Sequence, residues 1–314
     1  MEHAAAHHPP RFALIGFGAL AEALTTALRN GGAPAPAVYT RPRSDPDAAA
    51  ALSRRLAAAG VETVRSAAEA AAAADVVVAA VPATGAVDVA AACAPGLRPG
   101  ALYIDPTPLP PEQKLVLSEL IASAGAEYAD VAVLGTVAVS GAAVPMLASG
   151  SGAGRWADAG GRYGLRVSVL DGPAGRASLV KLLRSVYMKG RDALILEMVV
   201  SARRHGVEDA VIASIGGPGE QVPFPDLVAR VLRSLAVYAD RRSAELDAAA
   251  ELVADAALDP LLTEAGAARL RWMADLGVRE AFGAERPETA DAVLSAIDAL
   301  DAAGRSLGAA GGAG

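Results

Sequence analysis

The segment RFALIGFGALAEALTTALRNGG, residues 11–32, limits what this chain can fold into more than any other. An apolar run ends at Gly16, small residues stand at Gly16, Gly18 and Ala21, and an amphipathic stretch then runs to Gly31 and Gly32. That pattern predicts a strand, a glycine turn and a helix with a glycine stop. In this order the small residues have separate duties: Gly16 permits a tight turn, Gly18 lets backbone approach a pyrophosphate, and Ala21 keeps helix and strand close. The free amides at the helix start then face phosphate oxygens. The candidate cofactor contacts from this turn are Gly16, Phe17, Gly18, Ala19 and Leu20.

The next strand, PAVYT, is followed by Thr40, Arg41, Arg43 and Ser44. An acid at this place would hold the 2'-hydroxyl of NAD, whereas two guanidiniums and two hydroxyls suit a 2'-phosphate. The expectation is therefore NADP(H) in preference to NAD(H), with Thr40, Arg41 and Arg43 as contacts. A solvated basic loop is the plain alternative, and Asp45 is a possible displaced acid.

Downstream, strands and helices alternate: a helix over 47–59, a short strand at VETV, an alanine-rich helix, the strand DVVVAAVP, a helix from near Gly85, the strand ALYIDPTP, a helix over 111–124, and the strand YADVAVLG. A continuously apolar strand such as VVVAAVP is one covered on both faces, so the sheet should be parallel and doubly wound. After LRVSVLDGP the period changes and the remainder reads as helix. The expected fold is an α/β Rossmann domain followed by an all-α C-terminal domain. Its divisions are a disordered tail over 1–10, the dinucleotide-binding domain over 11–170, a helical substrate and dimerisation domain over 171–304, and a second tail over 305–314. Val81, Pro82, Ala83 and Thr84 after one strand, and Thr107 after the next, are expected to line the nicotinamide side. Asp105, just before a proline, reads as a cap or turn residue, and Cys93 as a helix-packing residue.

Composition excludes several functions. A net charge of −7, with 20% charged residues, leaves no footprint for nucleic acid or an anionic membrane. The apolar runs are short and broken by charge, so no membrane span or signal peptide is expected. Cys93 is the only cysteine, which excludes an internal disulfide and suits a reducing cytoplasm. His3, His7 and His8 precede the first strand and His205 falls at a helix end, so histidine-based catalysis and a metal site are not expected.

Of three lysines, Lys181 and Lys189 lie in GRASLVKLLRSVYMKG, residues 175–190, where arginine also abounds. Ser178, Lys181, Ser185 and Lys189 are spaced 3, 4 and 4 apart, which makes one slowly turning polar stripe on a helix. Lysine can lose its proton when desolvated and arginine cannot, so lysine fits reversible proton transfer. A stripe facing water is the alternative. In YADRRSAEL, Tyr238 shares a helix side with Arg241 and Arg242, which could clamp a carboxylate or phosphate, while Glu245 offers Arg241 an ordinary salt bridge.

Taken with VPATGAV, YIDPTPLPP and GRASLVKLLRS, the N-terminal fingerprint resembles the β-hydroxyacid dehydrogenase superfamily, and the C-terminal half is similar to its phosphogluconate dehydrogenase-like branch. The resemblance implies an NADP(H)-dependent hydride transfer on a small hydroxy or keto acid, with Lys181 as acid/base, in a homodimer. It also implies substrate contacts from Leu134, Gly135 and Thr136, from Ser185, and from Tyr238, Arg241 and Arg242. Two departures stand out: Ser185 replaces the family's asparagine, and the loop DVAVLGT replaces a DxPVSGG-like run. An imine reductase and a catalytically silent NADP-binding sensor or scaffold are the other readings.

Overall fold

The computed structural model describes residues 9–215, 217, 221–283 and 285–311, with side chains followed as far as residue 303. His3, His7 and His8 lie outside the described residues, as does most of the expected N-terminal tail. Two compact units divide the chain, residues 1–186 and 187–314.

The first unit is built on one eight-stranded sheet: β1 (Phe12–Ile15), β2 (Ala37–Tyr39), β3 (Glu62–Thr63), β4 (Val76–Ala79), β5 (Leu102–Asp105), β6 (Glu127–Val133), β7 (Met146–Ser149) and β8 (Val167–Val169). Their order is β3-β2-β1-β4-β5-β6-β7-β8, and every neighbouring pair is parallel except β6 with β7. Between the strands lie α1 (Ala19–Asn30), α2 (Pro46–Ala59), α3 (Ala67–Ala72), α4 (Ala86–Cys93), α5 (Pro111–Ser123), α6 (Val137–Ser140) and α7 (Ala153–Gly161). Alternate residues of β1, β2, β4, β5 and β6 feed two cores. On one face Phe12, Leu14, Val76 and Val78 pack with Leu24 and Leu28 of α1 and Trp156 of α7. On the other, Ala13, Ile15, Val77 and Ala79 meet Ala67, Ala70 and Ala71 of α3, Ala90 of α4, and Leu117 and Ile121 of α5. A period of two with both faces apolar is what a covered parallel sheet requires.

The helices continue with α8 (Arg176–Arg204), α9 (Glu208–Ser214), α10 (Phe224–Asp255), α11 (Leu261–Asp275), α12 (Val278–Ala281) and α13 (Ala290–Gly311). The first turns of α8 belong to the first unit, beyond the expected division at residue 170, because strands β6 and β7 hold them by hydrogen bonds. The second unit has its own core of Ala236, Ala239, Met273, Val278 and Val293. Helix α13 runs on to Gly311, past the point where a C-terminal tail is expected, and residues 312–314 lie outside the described residues. No helix among the described residues is long and apolar enough to cross a membrane.

Candidate active site

Strand order reverses around β1, so the C-terminal ends of β1 and β4 open a crevice, the place where open α/β sheets bind ligands. Gly16 is forced there twice. Its φ is +89°, and a Cβ would lie 2.4 Å from the Ala80 carbonyl oxygen at the end of β4. The Gly16 amide donates to the Tyr39 carbonyl at 2.8 Å, which ties the turn to β2. At Gly18 an added Cβ would meet no protein atom within 4 Å, so that side of the turn is open. Ala21, fully buried, lets α1 lie close on the sheet.

A groove of about 550 Å³ follows, lined by Gly16, Phe17 and Gly18, by Thr40, Arg41 and Arg43 after β2, and by Val81 and Pro82 after β4. Ala19, Leu20 and Ala83 are not among its lining residues. Thr84, Gly85 and Asp88 line it, as does Arg55 of α2, which the sequence reading does not single out. The Arg55 guanidinium donates to Glu22 at 2.6 Å and to the Phe17 carbonyl at 2.9 Å, and its centre lies 5.9 Å from the Phe17 ring centroid. It thereby braces the glycine turn from outside. Asp45 is occupied: its carboxylate accepts from the Asp47 amide at 3.0 Å and caps α2. Arg41 and Arg43 are exposed at the end of β2, and Asp45 beyond them is the helix cap and does not line the groove.

Thr107 takes a different place. Its side chain is buried, with the hydroxyl bonded to the Asp105 carboxylate and within 3.4 Å of Lys114 Nζ. Lys114 lies on α5 and is fully buried. The register of the sheet explains it. Asp105 and Asp130 are direct partners on the neighbouring parallel strands β5 and β6, so two carboxylates stand side by side inside the protein. Lys114 Nζ reaches Asp105 at 3.0 Å and Asp130 at 3.3 Å, and donates to the Asp105 carbonyl at 3.0 Å. The Tyr128 hydroxyl adds a 2.6 Å bond to Asp105. Burial, with the Asp105 charge beside it, pushes the Tyr128 phenol well above its ordinary value, so it stays a donor. Asp105 also accepts from the Thr107 amide at 2.9 Å, the turn role expected of it.

On its far side Asp130 caps α8. Its carboxylate accepts from the amides of Gly175 at 3.0 Å and Ser178 at 2.9 Å, and from the Ser178 hydroxyl at 2.6 Å. Ser149, the register partner of Asp130 on β7, accepts from the Ala177 amide at 3.0 Å. This remote cap has a local cause. Gly175 starts the helix at φ +96°, where a Cβ would lie 2.8 Å from the Pro111 carbonyl, so no side chain can cap from that position. One turn beyond Ser178 stands Lys181, half-buried, and Ser185 donates to the Lys181 carbonyl at 3.0 Å. Lys181 is not a lining residue of the groove.

In the loop after β6, Leu134 is tied by its amide to the Pro145 carbonyl at 2.8 Å, while Gly135 and Thr136 are exposed. Within the second unit, Tyr238 has non-helical dihedrals that kink α10. The Arg241 guanidinium lies 5.3 Å from its ring centroid and 3.5 Å from Glu245, so the ordinary salt bridge is present. Arg242 instead donates to the Ser234 hydroxyl at 2.9 Å. His205 bonds the Leu252 carbonyl at 2.7 Å across the end of α8. Cys93 is fully buried, and burial pushes its thiol up to about 12, as suits a packing residue. Among the described residues no group of three or more His, Cys, Asp or Glu side chains is placed to hold a metal ion.

Comparison with known proteins agrees with this construction. Residues 11–108 match the family described as NADP oxidoreductase coenzyme F420-dependent, and residues 202–273 match a domain of unknown function, DUF1932. A conserved hypothetical protein from Sinorhizobium meliloti 1021 is 26% identical, with 94% of this chain and 97% of that one covered and a TM-score of 0.58. The two matches fall on separate parts of the chain, an N-terminal oxidoreductase domain and a C-terminal domain. A conserved protein of unknown function with structural similarity to 3-hydroxyacid dehydrogenases is 27% identical, over 83% of this chain and 96% of that one, at a TM-score of 0.56. A reductive aminase from Aspergillus terreus, in complex with NADPH4, cyclohexanone and allyl amine, has a similar fold at 21% identity and a TM-score of 0.68, covering 93% of this chain and 99% of that one. The comparison with curated proteins gave no match.

Proposed function

We propose that this protein is an NADP(H)-dependent oxidoreductase that transfers hydride between the nicotinamide and a small hydroxy or keto acid, with Lys181 as acid/base. The observation that carries the cofactor reading is the end of β2. Arg41 and Arg43 line the groove there, whereas Asp45, the next acid in the sequence, caps α2 and is not a lining residue. Gly16, Phe17 and Gly18 hold the pyrophosphate against the start of α1, and Thr40, Arg41 and Arg43 take the 2'-phosphate. When bound, the dinucleotide supplies or accepts the hydride. Lys181 receives the hydroxyl proton on oxidation and returns it on reduction. Leu134, Gly135, Thr136 and Ser185 shape the substrate side, and Tyr238, Arg241 and Arg242 bind its carboxylate. The working form is a cytoplasmic homodimer; the exposed Leu179, Leu183 and Val186 of α8 are the apolar surface that supports a second copy.

A second reading is favoured by the solved structures of similar fold, which include a reductive aminase and imine reductases. In it the substrate carbon is a C=N carbon. Turnover of NADPH against a panel of keto acids, aldehydes and cyclic imines separates the two, with Lys181→Ala run in parallel. Oxidation of NADPH with keto acids, cut to a small residual rate in a Lys181→Ala variant that still binds NADPH, is the expected result. Turnover of imines alone, untouched by that substitution, would move the protein to the imine reductase reading. Tight binding of NADPH with no turnover at all would make it a sensor.

A further inference from the structure

We infer that Asp130 is a positioning residue for Lys181, and that Lys114 is the counter-ion that allows it. The inference rests on the acid/base reading of Lys181.

A buried helix start with a side-chain-free first residue has amides that must find acceptors. Here Asp130 and Ser149 supply them from the sheet, so the start of α8 is fixed to β6 and β7 rather than to its own loop. The Ser178 hydroxyl bond to Asp130 adds a constraint on rotation, because it grips a side chain as well as the backbone. Ser178 and Lys181 are three residues apart and share a helix face. Fixing the azimuth and height of Ser178 therefore fixes where the lysine stem leaves the helix.

Charge explains why this cap is an acid and why it stays inside. Lys114, Asp105 and Asp130 together sum to one negative charge, all three fully buried or nearly so. The positive end of the α8 dipole, about half an elementary charge, faces that excess. Removing Lys114 would leave two carboxylates in register on adjacent strands without a counter-charge. Removing the charge of Asp130 would leave the Gly175 and Ser178 amides one weaker acceptor between them, and Lys114 with Asp105 alone.

The test is a double-mutant cycle between Asp130→Asn and Lys181→Ala on the full chain, read as kcat, KM and the dissociation constant for NADPH. If Asp130 acts through Lys181, Asp130→Asn lowers kcat about 10- to 100-fold in the wild-type background. It then costs less than about twofold when Lys181 is already alanine, with NADPH affinity unchanged in both. Equal losses in the two backgrounds, or no loss in either, would overturn the inference while leaving the acid/base reading intact. Ser178→Ala serves if Asp130→Asn fails to fold, since it removes one bond and no charge; the same pattern is expected at smaller size. If Lys181→Ala turns over like wild type, the acid/base reading has failed by itself. Hydrogen exchange at the amides of residues 175–181 then decides the structural part: faster exchange in Asp130→Asn supports it, and unchanged exchange contradicts it.

Discussion

At the scale of single residues, Gly16 carries the most constraint. Its positive φ and the 2.4 Å approach to Ala80 act together, so the chain has no side chain to offer at that turn. Gly16→Ala is expected to cost about 1–3 kcal/mol in stability and to abolish NADPH binding, measured by urea unfolding and fluorescence titration. An alanine variant that binds NADPH normally would show that β1 and β4 can separate at this point. Gly16 was legible in the sequence because the motif states it in consecutive residues. Arg55 was not legible, because its value depends on α2 lying against α1, and nothing in SRRLAAA distinguishes Arg55 from Arg54.

At the scale of elements, the chain solves one problem twice. Helix α11 follows Pro260, which has no side-chain acceptor, and Glu197 reaches it from α8. The buried Glu197 carboxylate accepts from the Leu262 amide at 3.0 Å, the Thr263 amide at 2.9 Å and the Thr263 hydroxyl at 2.6 Å. Burial raises its pKa, but the Thr263 hydroxyl and the two amides outweigh this and hold the carboxyl below its ordinary range. A lowered folded pKa contributes stability that is complete above the unfolded value of about 4.3 and is lost as pH falls through the folded value. Glu197→Gln should therefore be less stable than wild type near neutrality, with the gap closing below about pH 4. A gap that persists unchanged at pH 3 in urea unfolding would contradict the ionised cap.

The matching cap on α8 is more exposed to loss of charge balance. Lys114→Met leaves Asp105 and Asp130 buried without a cation, and a loss of about 3–5 kcal/mol in the unfolding free energy is expected. A change below about 1 kcal/mol would mean that the lysine contributes packing alone. The pattern had a trace in the sequence: Tyr103 and Asp105 on β5 repeat as Tyr128 and Asp130 on β6, each pair two residues apart. Reading it requires the register, because only in-register parallel strands bring the two acids together. Lys114 itself sits in PEQKLVLSEL, where a lysine reads as solvent-facing until the two strand ends are known to meet beneath it.

At the scale of the molecule, the alternation of strands and helices made the sheet and its two covered faces readable, since β1, β2, β4 and β5 are short, largely apolar runs, each followed by a turn and a helix. The helical half was readable as helix and little more. The kink at Tyr238 breaks no rule of composition, and whether Arg241 and Arg242 serve a substrate depends on contacts that helical spacing cannot distinguish from the Glu245 salt bridge. The cofactor groove is different, because its walls come from the first unit alone and its charge is set by a few residues. The most direct measurement is therefore equilibrium binding of NADPH and NADH to the wild type and to Arg41→Ala/Arg43→Ala, by titration calorimetry. NADPH is expected to bind at least about tenfold more tightly than NADH, with the double substitution removing that preference and leaving NADH affinity unchanged. Equal affinity for the two dinucleotides in the wild type, or a preference that survives loss of both guanidiniums, would contradict the account.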